Sequence, residues 1–226
     1  MLTIIIPITF NINISNVETT INSIVSQTYE NIQIIIGLNS DISIKISDIE
    51  KIHIKCDVYL FDNVTTKYDM LNNIIQYVEN VWVGFAEPGD EWYNNKIENQ
   101  IQYTDKYDII GCSCRFTGSK NGMPSVVYGR VKDFGFINGR PLIDNTVIMK
   151  TKLCKWQTKY GIHADYKMFY KLYSKKYRCF NIPEVLLSCK VFLNNNNDIL
   201  DKDILHKLSK KIKKSIKADN KNNYLI

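Results

Sequence analysis

Leu2-Thr3-Ile4-Ile5-Ile6-Pro7, the amphipathic stretch 16–27 and Ile32-Gln33-Ile34-Ile35-Ile36 together decide the fold. The first is a short apolar run rich in β-branched residues and ended by proline, which reads as a buried strand. In the second, Val17, Ile21, Ile24 and Val25 recur at helical spacing, with Ser15 or Asn16 available as a cap. The third is a second buried strand. Strand, helix and strand within about forty residues is the pattern of a βαβ unit, whose strands lie parallel.

Working outward, the alternation continues. Residues 52–60 read as a third strand, 68–78 as a helix through Leu71, Ile74, Ile75 and Val78, and 81–86 as a fourth strand. Residues 92–103 read as a helix with Ile97 and Ile101 four apart, and 108–116 as a strand. The second half is less regular. There, 126–130 and 146–150 are short strand candidates, 164–173 a helix and 185–191 a late strand, with glycine-bearing loops at 118–122 and 134–141. The expected architecture is α/β: a mostly parallel central sheet covered by helices on both faces, three layers in all. In such sheets ligands bind beyond the carboxyl ends of the strands. The segments 7–11, 37–43 and 87–92 are therefore where function is expected.

Composition fits this reading. Hydrophobic residues make up 45% of the 226 and charged residues 23%, which is the balance of a globular domain and too apolar for a disordered chain. Apolar runs long enough to cross a bilayer are absent from the sequence. The N-terminus reads as a strand and not as a signal peptide, having neither a basic leader nor a small-residue cleavage site. Cys56, Cys112, Cys114, Cys154, Cys179 and Cys189 are scattered without a CxxC pair, and His53, His163 and His206 are dispersed. This argues against zinc and for reduced core thiols in a cytoplasmic compartment. Cys112 and Cys114 would share one face of a strand.

Charge is concentrated at one end. Residues 202–217 hold seven lysines against Asp203 alone, a net +6 that equals the formal charge of the whole chain. The rest is neutral, which argues against a nucleic-acid binder. The expected division is a domain over 1–193, then a polar linker and basic C-terminal helix over 194–226. Ile204, Leu208, Ile212 and Ile216 recur every fourth residue in that tail. Two readings stand for it: a helix packed on its own domain, or one that makes weak contact with an anionic membrane surface.

Four segments, in order, resemble glycosyltransferase family 2. The opening Ile4-Ile5-Ile6-Pro7 with Ser23-Ile24-Val25-Ser26-Gln27-Thr28-Tyr29 is similar to that family's first strand and helix. Gly84-Phe85-Ala86-Glu87-Pro88-Gly89-Asp90-Glu91-Trp92 followed by Lys96-Ile97-Glu98-Asn99-Gln100 resembles its acidic metal segment and the helix after it. Ala164-Asp165-Tyr166-Lys167-Met168 looks like its Glu-Asp-Tyr-x-Leu, and Ile182-Pro183-Glu184-Val185-Leu186 like its closing strand. The resemblance covers residues 1–192. It implies a GT-A-like α/β/α fold and transfer of a sugar, from a UDP-sugar by preference, to a hydroxyl of a glycan, lipid or protein acceptor.

The resemblance also implies residue roles. Negative charge grows on the leaving diphosphate, and a divalent cation held by carboxylates can neutralise it. The positions for Mn²⁺ or Mg²⁺ are Glu87 and Asp90, with Gly89 standing where the family has a second aspartate; the alternative is a plain Pro-Gly turn. Pro7, Thr9, Asn39, Asn72 and Glu87 match positions around the donor nucleotide. Lys67 stands close to Asn72 in sequence, and both residues also suit the polar side of a helix. Asp165 matches the general base that takes the acceptor's proton in an inverting transfer, or else an acid at a helix start; His163 is a second suspect. Asn39 and Gly89 depart from the family pattern, so a non-catalytic nucleotide- or sugar-binding relative is the alternative to an enzyme.

Overall fold

The computed structural model describes residues 1–53, 55–117, 126–127 and 144–190. The expected linker and basic helix of 194–226 and the loops at 118–122 and 134–141 lie outside these residues. So does most of the 126–130 strand candidate.

The opening stretch folds as its pattern requires. β1 (Leu2–Ile8) lies parallel to β2 (Ile32–Asn39), Leu2 opposite Ile32 and Ile8 opposite Leu38. The crossover between them is α1 (Ile14–Val25), capped by the Asn13 side chain, which accepts from the Ser15 amide at 2.9 Å. The helix starts earlier than the spacing predicts, because Asn13 and not Ser15 or Asn16 takes the capping position.

β3 (Asp57–Phe61) adds outside β2, and β4 (Trp82–Phe85) pairs parallel with β1 on its other side. Beyond β4 lie β8 (Ile148–Lys150), β6 (Ile109–Thr117), β9 (Cys179–Lys190) and the two-residue β5 (Glu91–Trp92), with β7 (Val126–Val127) pairing β6. Among the described residues this is a single nine-stranded sheet. β5, β7 and β8 run antiparallel to their neighbours, and the other six strands are parallel to one another.

Alternation along the strands separates two cores. Leu2, Ile4, Ile6 and Ile8 join Ile34 and Ile36 beneath α1, α2 (Ile46–Ile52) and α4 (Lys96–Ile101). Ile5, Ile35, Val83 and Phe85 face the opposite layer, built by α3 (Lys67–Ile74) and α5 (Ala164–Ser174). Gly37 lets α3 lie directly on β2, since a Cβ there would sit 2.3 Å from Ile74 Cδ1.

Several expectations need correction. The 52–60 strand is only Asp57–Phe61; Ile52 instead ends α2, a helix whose single fully buried apolar residue, Ile49, leaves too little periodicity to read. The 92–103 helix starts at Lys96, because Trp92 is drawn into the sheet opposite Leu187 and the Tyr93 amide bonds Leu186 O. The helix at 68–78 tightens into a 3₁₀ turn from Ile75. The late strand begins at Cys179 and runs through Pro183; pairing with β6 passes from Ile182 straight to Val185, so the residue without an N–H sits in the bulge. The 146–150 strand shortens to Ile148–Lys150 behind a 3₁₀ turn.

Candidate functional site

The carboxyl ends of β1, β2, β3 and β4 meet along one edge, and the loops leaving the first three are tied together by Asn39. Its Nδ2 donates to Thr9 O at 3.2 Å and to Val64 O at 3.3 Å, while Oδ1 accepts the Asp41 amide at 3.3 Å. Ser40 N reaches Phe61 O at 3.0 Å alongside. Asn39 is buried. Only an amide could make this staple, because a carboxylate cannot donate to two carbonyls.

Beyond β4 the acidic segment closes on itself. Asp90 N donates to Glu87 O, and the Asp90 carboxylate returns to accept the Glu87 amide, both at 2.9 Å. Gly89 makes the reversal at φ 96°, a conformation suited to glycine. From α1, the Thr20 hydroxyl contacts Glu87 O (3.1 Å) and Asp90 O (2.8 Å) and accepts the Gly89 amide (2.9 Å). Asn145 Nδ2 donates to Asp90 Oδ2 at 2.7 Å. The Asp90 carboxylate is thus turned inward, 1% exposed. Burial and then the charge of Glu87 push its pKa up to about 7, against the hydrogen bonds from Glu87 N and Asn145 and the charge of Lys67.

Glu87 points the other way. Its Oε1 pairs with the Nζ of Lys67, the first residue of α3. The start of that helix is fixed by a capping box: Thr66 Oγ1 accepts the Asp69 amide, and Asp69 accepts the Thr66 amide. Lys67 and Glu87 line a shallow recess with Pro7, Leu71, Phe85, Ala86 and Asn145. A wider groove between α1 and α2 is lined by Ile12, Ile14, Ile44 and Ile52. Glu18 and Ser43 also line it, and its Lys51 and Asp48 are paired with each other at 3.3 Å.

Asp165 lies in the first turn of α5, 4% exposed. The segment leading to it is anchored on α3. Asn72 Nδ2 donates to Trp156 O at 2.9 Å and its Oδ1 accepts the Trp156 amide at 3.1 Å, so both polar ends of Asn72 hold this segment. The Trp156 ring stacks on Tyr68 and meets Phe85 edge-on, 5.3 Å between centroids. Ala164, Met168, Phe169 and Leu172 then bury α5 in the same core as α3. Asp165 and the Lys67–Glu87 pair therefore belong to one side of the sheet. Pro7 does not end β1 as its residue type suggests: it lies in the ladder opposite Gly37, the strand runs on to Ile8, and Thr9 follows, half-buried. The side chain of His163 lies outside the described residues.

Sequence reasoning overlooked Asn145, Thr20 and Trp156. Asn145 and Thr20 lie far from the acidic segment in sequence, and only the fold brings them to it.

The donor set does not fit a cation held by carboxylates. Gly89 offers no side chain, Asp90 is spent inside the turn, and Glu87 is neutralised by Lys67. No cluster of three or more His, Cys, Asp or Glu able to hold a metal occurs among the described residues. All six cysteines are free, and burial pushes the thiols of Cys56 up to about 11 and Cys112 up to about 12.

No family model and no curated protein matches the chain. Solved structures do. S. aureus TarS 1–349 in complex with UDP-GlcNAc superposes with a TM-score of 0.68 at 13% identity, over 95% of this chain and 66% of that one. The same protein in complex with UDP gives 0.66 at 14% identity, over 84% and 60%. Mannosyltransferase PcManGT from Pyrobaculum calidifontis, in complex with GDP-Man and Mn²⁺, gives 0.63 at 15% identity, over 87% and 58%. The chain thus spans less than two thirds of the length of these structures. Their likeness, together with the sheet order and the layers on both its faces, gives this chain a GT-A-like glycosyltransferase fold.

Proposed function

We propose that the protein transfers a glycosyl group from a nucleoside diphosphate sugar, with a UDP-sugar preferred, to an acceptor hydroxyl with inversion. The observation that carries this reading is the carboxyl edge of the GT-A-like sheet. Such sheets bind ligands at this edge; Pro7, Lys67 and Glu87 line a recess there, Asn39 bonds Thr9 O beside it, and the helix bearing Asp165 packs into the same core as α3, which supports the reading. The neighbours' complexes with UDP, UDP-GlcNAc and GDP-Man support the donor class.

In this reading the acceptor oxygen attacks the anomeric carbon from the face opposite the diphosphate. The bond from that carbon to the diphosphate oxygen breaks, and the nucleoside diphosphate departs with the electron pair. Asp165 takes the proton of the attacking hydroxyl. The Asn39 staple holds the three loops that would frame the nucleotide, and Asn72 holds the segment that carries Asp165.

The test pairs binding with turnover. Melting of the full chain against UDP, GDP and their sugars detects a ligand of the folded state, and release of nucleoside diphosphate reports transfer. Asp165→Asn is expected to lower turnover by about 10²–10⁴-fold, the usual worth of a general base, while the nucleotide-induced melting shift stays. Full turnover in that variant removes Asp165 from the chemistry. A second reading, a nucleotide-binding domain without transfer, draws on the inward Asp90 and the missing side chain at Gly89; binding without turnover in the wild type would select it.

A further inference from the structure

The recess beyond β1 and β4 presents an ammonium where the resemblance puts a metal. Among the described residues, Lys67 is the only lysine lining it. Its position is set by the capping box at the start of α3, and Glu87 Oε1 orients its Nζ toward the acidic turn. The side chains of Lys67 and Glu87 remain 24% and 41% exposed, so both can be reached from the cleft. Among the described residues, Glu87 is also the sole carboxylate lining this recess.

From this arrangement, and resting on the donor reading above, we propose that Lys67 binds the donor's diphosphate directly, in place of a carboxylate-held divalent cation. An ammonium has three donors and can serve two phosphate oxygens while swinging off Glu87. A diphosphate carries more negative charge than one carboxylate and offers more acceptor atoms, so it displaces Glu87 from the pair. Repulsion between Glu87 and the phosphates works in the same direction. As the glycosyl bond breaks and charge builds on the diphosphate, the contact with Lys67 strengthens, which is the stabilisation a cation supplies elsewhere. Glu87 is then a positioning residue that holds the ammonium ready before the ligand binds and competes with the ligand for it. This role differs from that of a metal ligand in the sign of its mutational effect.

Calorimetric titration of UDP and GDP into the full chain, in EDTA and in Mn²⁺, separates the two roles. The expected results are an affinity that EDTA leaves unchanged, a loss of about ten-fold or more in Lys67→Met, the worth of a charge-assisted hydrogen bond, and recovery in Lys67→Arg. Glu87→Gln is expected to tighten binding by removing the competitor. Binding that requires Mn²⁺, fails in Glu87→Gln and survives in Lys67→Met would overturn the proposal while leaving the donor reading intact. If wild type binds no nucleotide in either condition, the donor reading falls and this proposal falls with it.

Discussion

Replacing Asn39 with aspartate, an acid of the kind the resembling family often carries in this loop, should destabilise this protein. The Asn39 amide donates to Thr9 O and Val64 O from a site that is 6% exposed. A carboxylate keeps the Asp41 contact but loses both donors and faces two carbonyl oxygens. Each lost bond is worth about 1 kcal/mol net, and each buried carbonyl left unpaired costs about 1–3 kcal/mol. The two bonds are long, at 3.2 and 3.3 Å, so the lower ends apply and the total is about 2–4 kcal/mol. At roughly 2–4 °C per kcal/mol for a domain of this size, the melting temperature falls by about 4–16 °C. The cost also depends on pH. An unpaired buried carboxyl has a folded pKa above its unfolded value of about 3.9. The penalty is therefore full above the folded pKa and fades as pH falls toward the unfolded one. Calorimetric melting of wild type and Asn39→Asp across that range measures both effects. Equal melting temperatures at neutral pH would refute the staple, and a deficit that does not shrink in acid would refute its electrostatic origin.

Two further outcomes follow from the packing. Gly37→Ala should cost about 1–3 kcal/mol, the usual price of overpacking, because its Cβ would lie 2.3 Å from Ile74 Cδ1 and 2.6 Å from Met70 Sδ, both on fully buried residues; denaturant unfolding reads this directly. Lys96 is fully buried, bonded to Gln100 Oε1 at 2.7 Å and set over the Trp92 ring at 3.8 Å, and burial pushes its pKa down from 10.5 to about 8. Between those two values the unfolded chain holds a proton that the folded chain has released, so Lys96 makes stability rise with pH through that window. The buried thiols act oppositely, since Cys56 and Cys112 keep their protons longer when folded. The lysine's share is thus the difference between wild type and Lys96→Met, and parallel stability curves for the two would disprove it.

The first half of the fold was legible because each strand is bounded and each long helix carries a full apolar stripe. Ile4, Ile6, Ile34 and Ile36 on one face and Ile5 and Ile35 on the other need no tertiary information to be read as doubly covered strands. Legibility failed where an element depends on a distant partner. Glu91–Trp92 is a strand only because Leu187 and Ser188 lie beside it, nearly a hundred residues away. α2 shows too few turns for a period to emerge, and its start rests on the contact between Lys45 N and Asp48. Pro183 reads as a strand breaker, yet the register shift of β6 against β9 absorbs it and β9 runs on to Lys190.

At the site, sequence position and side-chain direction part company. The motif places Glu87, Gly89 and Asp90 within four residues, which suggests that Asp90 can stand in for the carboxylate absent at Gly89. Direction decides otherwise. Gly89 at φ 96° folds the chain back, so Asp90 meets the Glu87 amide and Asn145, while Glu87 meets Lys67 on the outside. Two acids three apart thus face opposite environments, one dry and hydrogen-bonded, the other wet and paired with an ammonium. Adding Gly89→Asp would not restore a metal pair, because the turn needs the positive φ and the Gly89 amide is held by Thr20 Oγ1 and Asn16 O. The inward carboxylate follows from one glycine, and the ammonium outside it from the capped start of α3. Under the proposed reading, the positive charge for a diphosphate then comes from α3 and not from the acidic loop.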